Sequence, residues 1–298
     1  LLKKTLCTNH KVFAFSTYLV SLFLQDKNVY LKKSKMKQNH EIDYRIYGEE
    51  LQYVEIELDP NETAVAETGA FMMMENGIEM QTLFGDGSNA QGGGLFGKLL
   101  SAGKRLLTGE SLFMTAFTNV GQGKKKVSFA SPYTGKIIVL DLAVLGGKVI
   151  AQKDAFLCAA KGVSIGIEFQ RKLGTGIFGG EGFIMQKLEG DGLAFAHAGG
   201  YVTEKTLAPG EILKIDTGCI VAYTANVDFD IEMVRGVKNW MFGGEGLFFA
   251  VLRGPGKVWI QSLPISRLAG RLMQYATNNR KEEGSILGGI GNLLDGRE

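Results

Sequence analysis

A chain of 298 residues with 45% hydrophobic residues can bury one large core, and its formal net charge of +2 argues against nucleic-acid binding, which normally needs a strongly basic face. Three cysteines in apolar settings, Cys7, Cys158 and Cys219, exclude a disulfide framework and a zinc site. Three histidines, His10, His40 and His197, are too few for a metal centre built from imidazoles, so no metal and no cofactor are expected.

Residues 1–41 are expected to form an N-terminal extension. Leu1 stands at the head of the chain and Met36 is its first methionine, and the apolar run Val12–Leu24 is followed by Gln25-Asp26-Lys27, which offers no small-residue cleavage site. Residues 1–35 therefore read as translated upstream sequence or a disordered extension rather than as a working signal peptide. From Ile42 onward the pattern is that of strands. Residues 51–58 alternate with period two, and shorter β runs recur at 127–130, 136–140, 183–188, 211–215, 227–234 and 257–261, most of them separated by glycine-containing turns. Helical periodicity is clearest over residues 266–276, which places Leu268, Leu272 and Tyr275 on one face before a glycine-rich tail.

The strands belong to an internal repeat. A short motif recurs as Thr108-Gly109-Glu110-Ser111, Gly179-Gly180-Glu181-Gly182 and Gly243-Gly244-Glu245-Gly246. Ala155 lies 26 residues before Glu181, and Cys219 lies 26 residues before Glu245. Ten residues upstream of the anchors Ala70, Ala155 and Cys219 stand Pro60, Leu145 and Pro209, the two prolines in the turn signals Asp59-Pro60-Asn61-Glu62 and Ala208-Pro209-Gly210-Glu211. The first copy is longer, with 40 residues from Ala70 to Glu110, so 14 residues are inserted within 84–107. The expected fold is all-β: three β-sandwich or barrel-like structural repeats in a pseudo-threefold arrangement, at about 42–126, 127–190 and 191–265, with one late C-terminal helix and a tail over 266–298.

Four phrases carry a family resemblance: Tyr47-Gly48-Glu49-Glu50-Leu51-Gln52-Tyr53-Val54-Glu55, Leu107-Thr108-Gly109-Glu110-Ser111-Leu112-Phe113, Gln152-Lys153-Asp154-Ala155-Phe156-Leu157-Cys158 and Phe242-Gly243-Gly244-Glu245-Gly246-Leu247. Over about residues 42–295 the chain resembles the altered inheritance of mitochondria protein 24 family. The resemblance implies a fold similar to the tryptophan RNA-binding attenuation protein, with three β repeats in one chain. It implies no activity and no catalytic residue.

The remaining motifs are weighed on their chemistry. Gly174-Thr175-Gly176-Ile177-Phe178-Gly179 spells a dinucleotide fingerprint, but no helical pattern follows it, so it is not expected to hold a nucleotide. The repeat constants Gly109, Glu110, Gly180, Glu181, Gly244 and Glu245 are expected to be architectural, each carboxylate accepting backbone N–H groups of its own turn. The alternative is a small-ligand binder or enzyme in which Glu110, Glu181 and Glu245 meet at a common axis. Lys124-Lys125-Lys126 reads as a solvated turn. Within the insertion, Leu95, Phe96, Lys98, Leu99, Leu100, Lys104 and Arg105 form an apolar side with basic flanks, suited to packing on protein or to lying at a membrane interface. No set of nucleophile, base and orienting group is visible. The expected role is that of a non-enzymatic scaffold or binding protein. It is expected to be a homo-oligomer, with a protein or membrane-surface partner and no nucleic acid, and to be cytoplasmic or peripheral at the membrane.

Overall fold

The structure, a computed structural model, describes residues 39, 41–84, 113–171, 182–233, 248–272 and 275. After a leading strand β1 (Asp43–Tyr47), six strands are written three times. The first set is β2 (Tyr53–Leu58), β3 (Thr63–Glu67), β4 (Phe71–Met74), β5 (Ile78–Phe84), β6 (Phe113–Asn119) and β7 (Lys125–Ala130). The second is β8 (Gly135–Asp141), β9 (Lys148–Gln152), β10 (Phe156–Ala160), β11 (Ser164–Arg171), β12 (Phe183–Glu189) and β13 (Leu193–Gly199). The third is β14 (Val202–Leu207), β15 (Ile212–Asp216), β16 (Ile220–Thr224), β17 (Asp228–Met233), β18 (Phe248–Arg253) and β19 (Gly256–Gln261). Counted by strands, the six-strand units run over 53–130, 135–199 and 202–261.

Each set pairs in the same way. Its sixth strand lies between its first and third, and its fifth between its second and fourth, so every repeat supplies two half-sheets of three antiparallel strands. The anchors Ala70, Ala155 and Cys219 each stand immediately before the third strand. That strand carries a bulge at the same place in all three copies, between Phe71 and Met73, Phe156 and Cys158, and Ile220 and Ala222. Neighbouring repeats are then joined by one operation: the third strand of a repeat pairs antiparallel with the second strand of the repeat before it. β10 joins β3, with Cys158 opposite Ala66 and Ala159 opposite Val65, and β16 joins β9, with Ala222 opposite Ala151 and Tyr223 opposite Ile150. The joins create two six-stranded sheets, β5-β6-β3-β10-β13-β8 and β11-β12-β9-β16-β19-β14. Among the described residues the half-sheet β2-β7-β4, extended by β1, and the half-sheet β15-β18-β17 remain separate, and no sheet closes into a barrel.

The sheets are layered through their side-chain alternation. Val54, Ile56, Leu58, Val127 and Phe129 of the first half-sheet pack on Ala64, Ala66, Phe117, Cys158 and Phe195. Val65, between Ala64 and Ala66, points to the opposite face and packs with Leu140, Val149, Ala151, Leu188 and Val221. Ile150, between Val149 and Ala151, turns outward again toward Phe183, Met185, Ile231 and Leu252. Both six-stranded sheets are thus covered on two faces. For this reason β10 and β16 are buried at every residue, while β2 alternates buried with half-buried positions.

The proline turns are type II. Asn61 and Gly210 have φ of 71° and 79°, after Pro60 and Pro209, and the closing Glu62 and Glu211 donate their N–H groups to the Asp59 and Ala208 carbonyls at 2.9 and 3.0 Å. Each Glu carboxylate returns to accept the N–H of Asp59 or Ala208, at 2.8 Å in both turns. Because a β-branched residue is strained at positive φ, Asn61→Val is expected to cost about 1–2 kcal/mol and Asn61→Gly almost nothing, as read from thermal unfolding.

The C-terminal helix is present over residues 265–272, beginning after Pro264, whose carbonyl accepts the N–H groups of Arg267 and Leu268 at 3.1 and 3.3 Å. Leu272 and Tyr275 on its expected apolar face are exposed. At the other end Asn39 is docked: its N–H donates to the Asp191 carboxylate and its side-chain oxygen accepts the Asp191 N–H, both at 3.0 Å. It lies against Gly162, Gly190 and Gly192, where a Cβ would approach Asn39 to 2.8–2.9 Å.

Candidate interaction edges

The sequence-selected constants Gly109, Glu110, Gly180, Glu181, Gly244 and Glu245 lie in the connections between the fourth and fifth strands, outside the described residues. So do Leu95, Phe96, Lys98, Leu99, Leu100, Lys104 and Arg105, and the glycines 174, 176 and 179. Among the described residues no group of His, Cys, Asp and Glu is placed to hold a metal ion, and no helix is long and apolar enough to cross a membrane.

Several of the described polar and titratable groups are paired or buried. Lys124 bridges Asp43 and Glu57 at 3.0 and 2.7 Å, and Lys126 pairs with Glu55 at 2.8 Å, so the basic run is met by acids of β1 and β2 across the sheet. Cys158 is wholly buried, and burial holds its thiol well above the ordinary range, which removes nucleophilic character. Cys219 is half-buried and its thiol is also raised, first by burial and then by Asp216. His197 is buried on β13, its ring edge-on to Tyr133 at 4.4 Å and close over Gly135. Among the described residues neither of its ring nitrogens has a partner of good hydrogen-bond geometry; burial pushes its pKa down to about 4, offset in part by the Tyr133 backbone. At the end of β3, Glu67 is raised to about 7, first by burial and then by the like charge of Asp154.

Two strands break the burial pattern of the repeats. β4 occupies the place that β10 and β16 hold in their repeats, yet Phe71, Met72, Met73 and Met74 are 39–48% exposed. β15 occupies the place of β3 and β9, which are almost entirely buried, yet Ile212 is 57% exposed and the strand alternates exposed and half-buried residues. Both are the outermost strands of their half-sheets. Glu75 donates its N–H to the Lys126 carbonyl of β7 at 2.9 Å, so alternation turns the N–H and C=O of Met74 away from β7 to the open edge. On β15 the Glu211 carbonyl accepts the Gly254 N–H at 2.9 Å, and alternation likewise turns Ile212 and Lys214 to the open side. The signal in the sequence lies at two positions: Met73 stands where the joined copies carry the smaller Cys158 and Ala222, and the charged Lys214 stands where they carry Val65 and Ile150.

Three β repeats joined by exchanged strand pairing define an all-β repeat protein. The chain belongs to the family described as mitochondrial biogenesis AIM24, which it matches over residues 44–263. It is 30% identical over 247 residues to an uncharacterized protein of Streptococcus pyogenes serotype M6, across 82% of this chain and 94% of the relative. It is also similar to a crystal structure of a Streptococcus pyogenes protein from a structural genomics consortium, with a TM-score of 0.61 and 26% identity over 78% of this chain and 99% of that one.

Proposed function

We propose that this protein is a non-enzymatic scaffold that works by associating with itself. The observation that carries the reading is β4, an edge strand of four large apolar residues left exposed where both equivalent strands of the same chain are buried. Unpaired apolar edges are templates for pairing with another chain, and folded proteins ordinarily shield them with charge, proline or a covering segment. The polar groups support the same reading: Glu62 and Glu211 tie turns, the Lys124 and Lys126 charges are matched, and His197 and Cys158 are held neutral in the core. Light scattering on the full chain across a hundredfold range of concentration is expected to give a mass of two or more chains. One chain at every concentration would overturn the proposal.

A further inference from the structure

Resting on that reading, we infer that the contact between copies is a head-to-tail strand join in which β4 of one chain pairs antiparallel with β15 of a second chain. The fold makes this join twice already. In each six-stranded sheet, half the strands are the second, fifth and fourth of one repeat, and the other half are the third, sixth and first of the next. The two unjoined half-sheets are the complementary halves of a third such sheet: β17-β18-β15 ends on a second strand, and β4-β7-β2 begins on a third strand.

The register follows from the joins that exist. By their common bulge, Met73 is equivalent to Cys158 and Ala222, and Met74 to Ala159 and Tyr223. By their pairing to the fifth strands and to the joins, Ile215 is equivalent to Ala66 and Ala151, and Lys214 to Val65 and Ile150. The new join therefore sets Met73 opposite Ile215 and Met74 opposite Lys214. Met74 and Lys214 both turn N–H and C=O to edges that are open among the described residues, and can exchange two hydrogen bonds. The side chains agree with a partner of this kind. Methionine is unbranched and adapts to an irregular neighbour, and β15 presents Ile212, Leu213 and Ile215 to it. The interface is heterologous, since the two edges differ, and successive copies build a ring if the rotation closes and a filament if it does not.

The test uses full-length single variants. In the expected register Met73 and Ile215 form a non-hydrogen-bonded pair, whose Cα atoms approach to about 4.5 Å, within disulfide range. Mixing Met73→Cys with Ile215→Cys under mild oxidation is expected to give a disulfide-linked pair of chains. Neither variant mixed with a Tyr201→Cys control should do so, and the unsubstituted chain, with its native cysteines, sets the background. Met74→Pro removes the outward N–H from an edge position that tolerates proline, and is expected to reduce the assembly to single folded chains. If the parent assembles while the cysteine pair does not link and Met74→Pro leaves the mass unchanged, the join is overturned and self-association stands. A parent that is a single chain with no cross-link overturns both. Should Met74→Pro fail to fold, the cross-link alone decides, and a link formed within one chain of the double cysteine variant would also overturn the join.

Discussion

Phe117→Ala is expected to lower the free energy of unfolding by about 3–5 kcal/mol. Phe117 is 1% exposed, stacked on Phe71 at 5.4 Å and meeting Phe129 edge-on at 5.0 Å between the first half-sheet and the sheet beneath it. Its strand β6 is held on both sides, by β3 and β5, so the backbone cannot close into the space the ring vacates. Phe71→Ala removes a ring of the same size from the exposed edge strand and should cost well under half as much in a single chain. Urea unfolding of the two variants gives the comparison. Equal losses would mean that β4 is already covered in the single chain, which would contradict the reading of its edge.

The second large effect is on the pH dependence of stability, where two groups act in opposite senses. Below pH 6.5 the unfolded chain protonates His197, but the folded chain resists to about pH 4; this contribution therefore falls with pH over that range, by on the order of 3 kcal/mol in all. Glu67 is raised from 4.5 to about 7 in the folded chain, so it holds a proton that the unfolded chain has released. Its contribution is complete below pH 4.5 and is lost as the pH rises through 7. Between pH 4.5 and 6.5 the two slopes oppose, and the parent protein should be nearly flat there. His197→Phe leaves the Glu67 slope alone, so stability should decline as the pH rises. Glu67→Gln leaves the His197 slope, so stability should decline as the pH falls. Denaturant midpoints at half-unit pH steps test this, and parallel curves for all three proteins would show that neither group is perturbed.

Much of the architecture was legible because a repeat can be found by spacing alone. The anchors at Ala70, Ala155 and Cys219 fall on one structural position, and the proline turns, the mostly β fold and the late helix follow the expected pattern. The inner strands were harder. Ala64-Val65-Ala66 and Ala194-Phe195-Ala196 are buried on both faces, so they do not alternate, and alanine, a poor strand former, fills most of their positions. The exchange of strands between repeats was not legible, because it is set by pairing partners far apart in sequence. For the same reason the open edges could not be seen. Met72-Met73-Met74 is an apolar strand like its equivalents, and its exposure goes with the absence, among the described residues, of a second strand paired to its outer edge. Helical period placed Leu272 and Tyr275 on one face, but period alone does not say whether a face is covered, and here it is exposed.

Hydrogen exchange read against protein concentration tests the assembly most directly. Amides turned to an open edge exchange freely, whereas amides in a paired strand are protected. The N–H groups of Met74 and Lys214 should become protected together as concentration rises, in step with the gain in mass, while those of β10 and β16 stay protected throughout. Association that leaves both Met74 and Lys214 exchanging as freely as in the dilute chain would contradict the joining of β4 to β15.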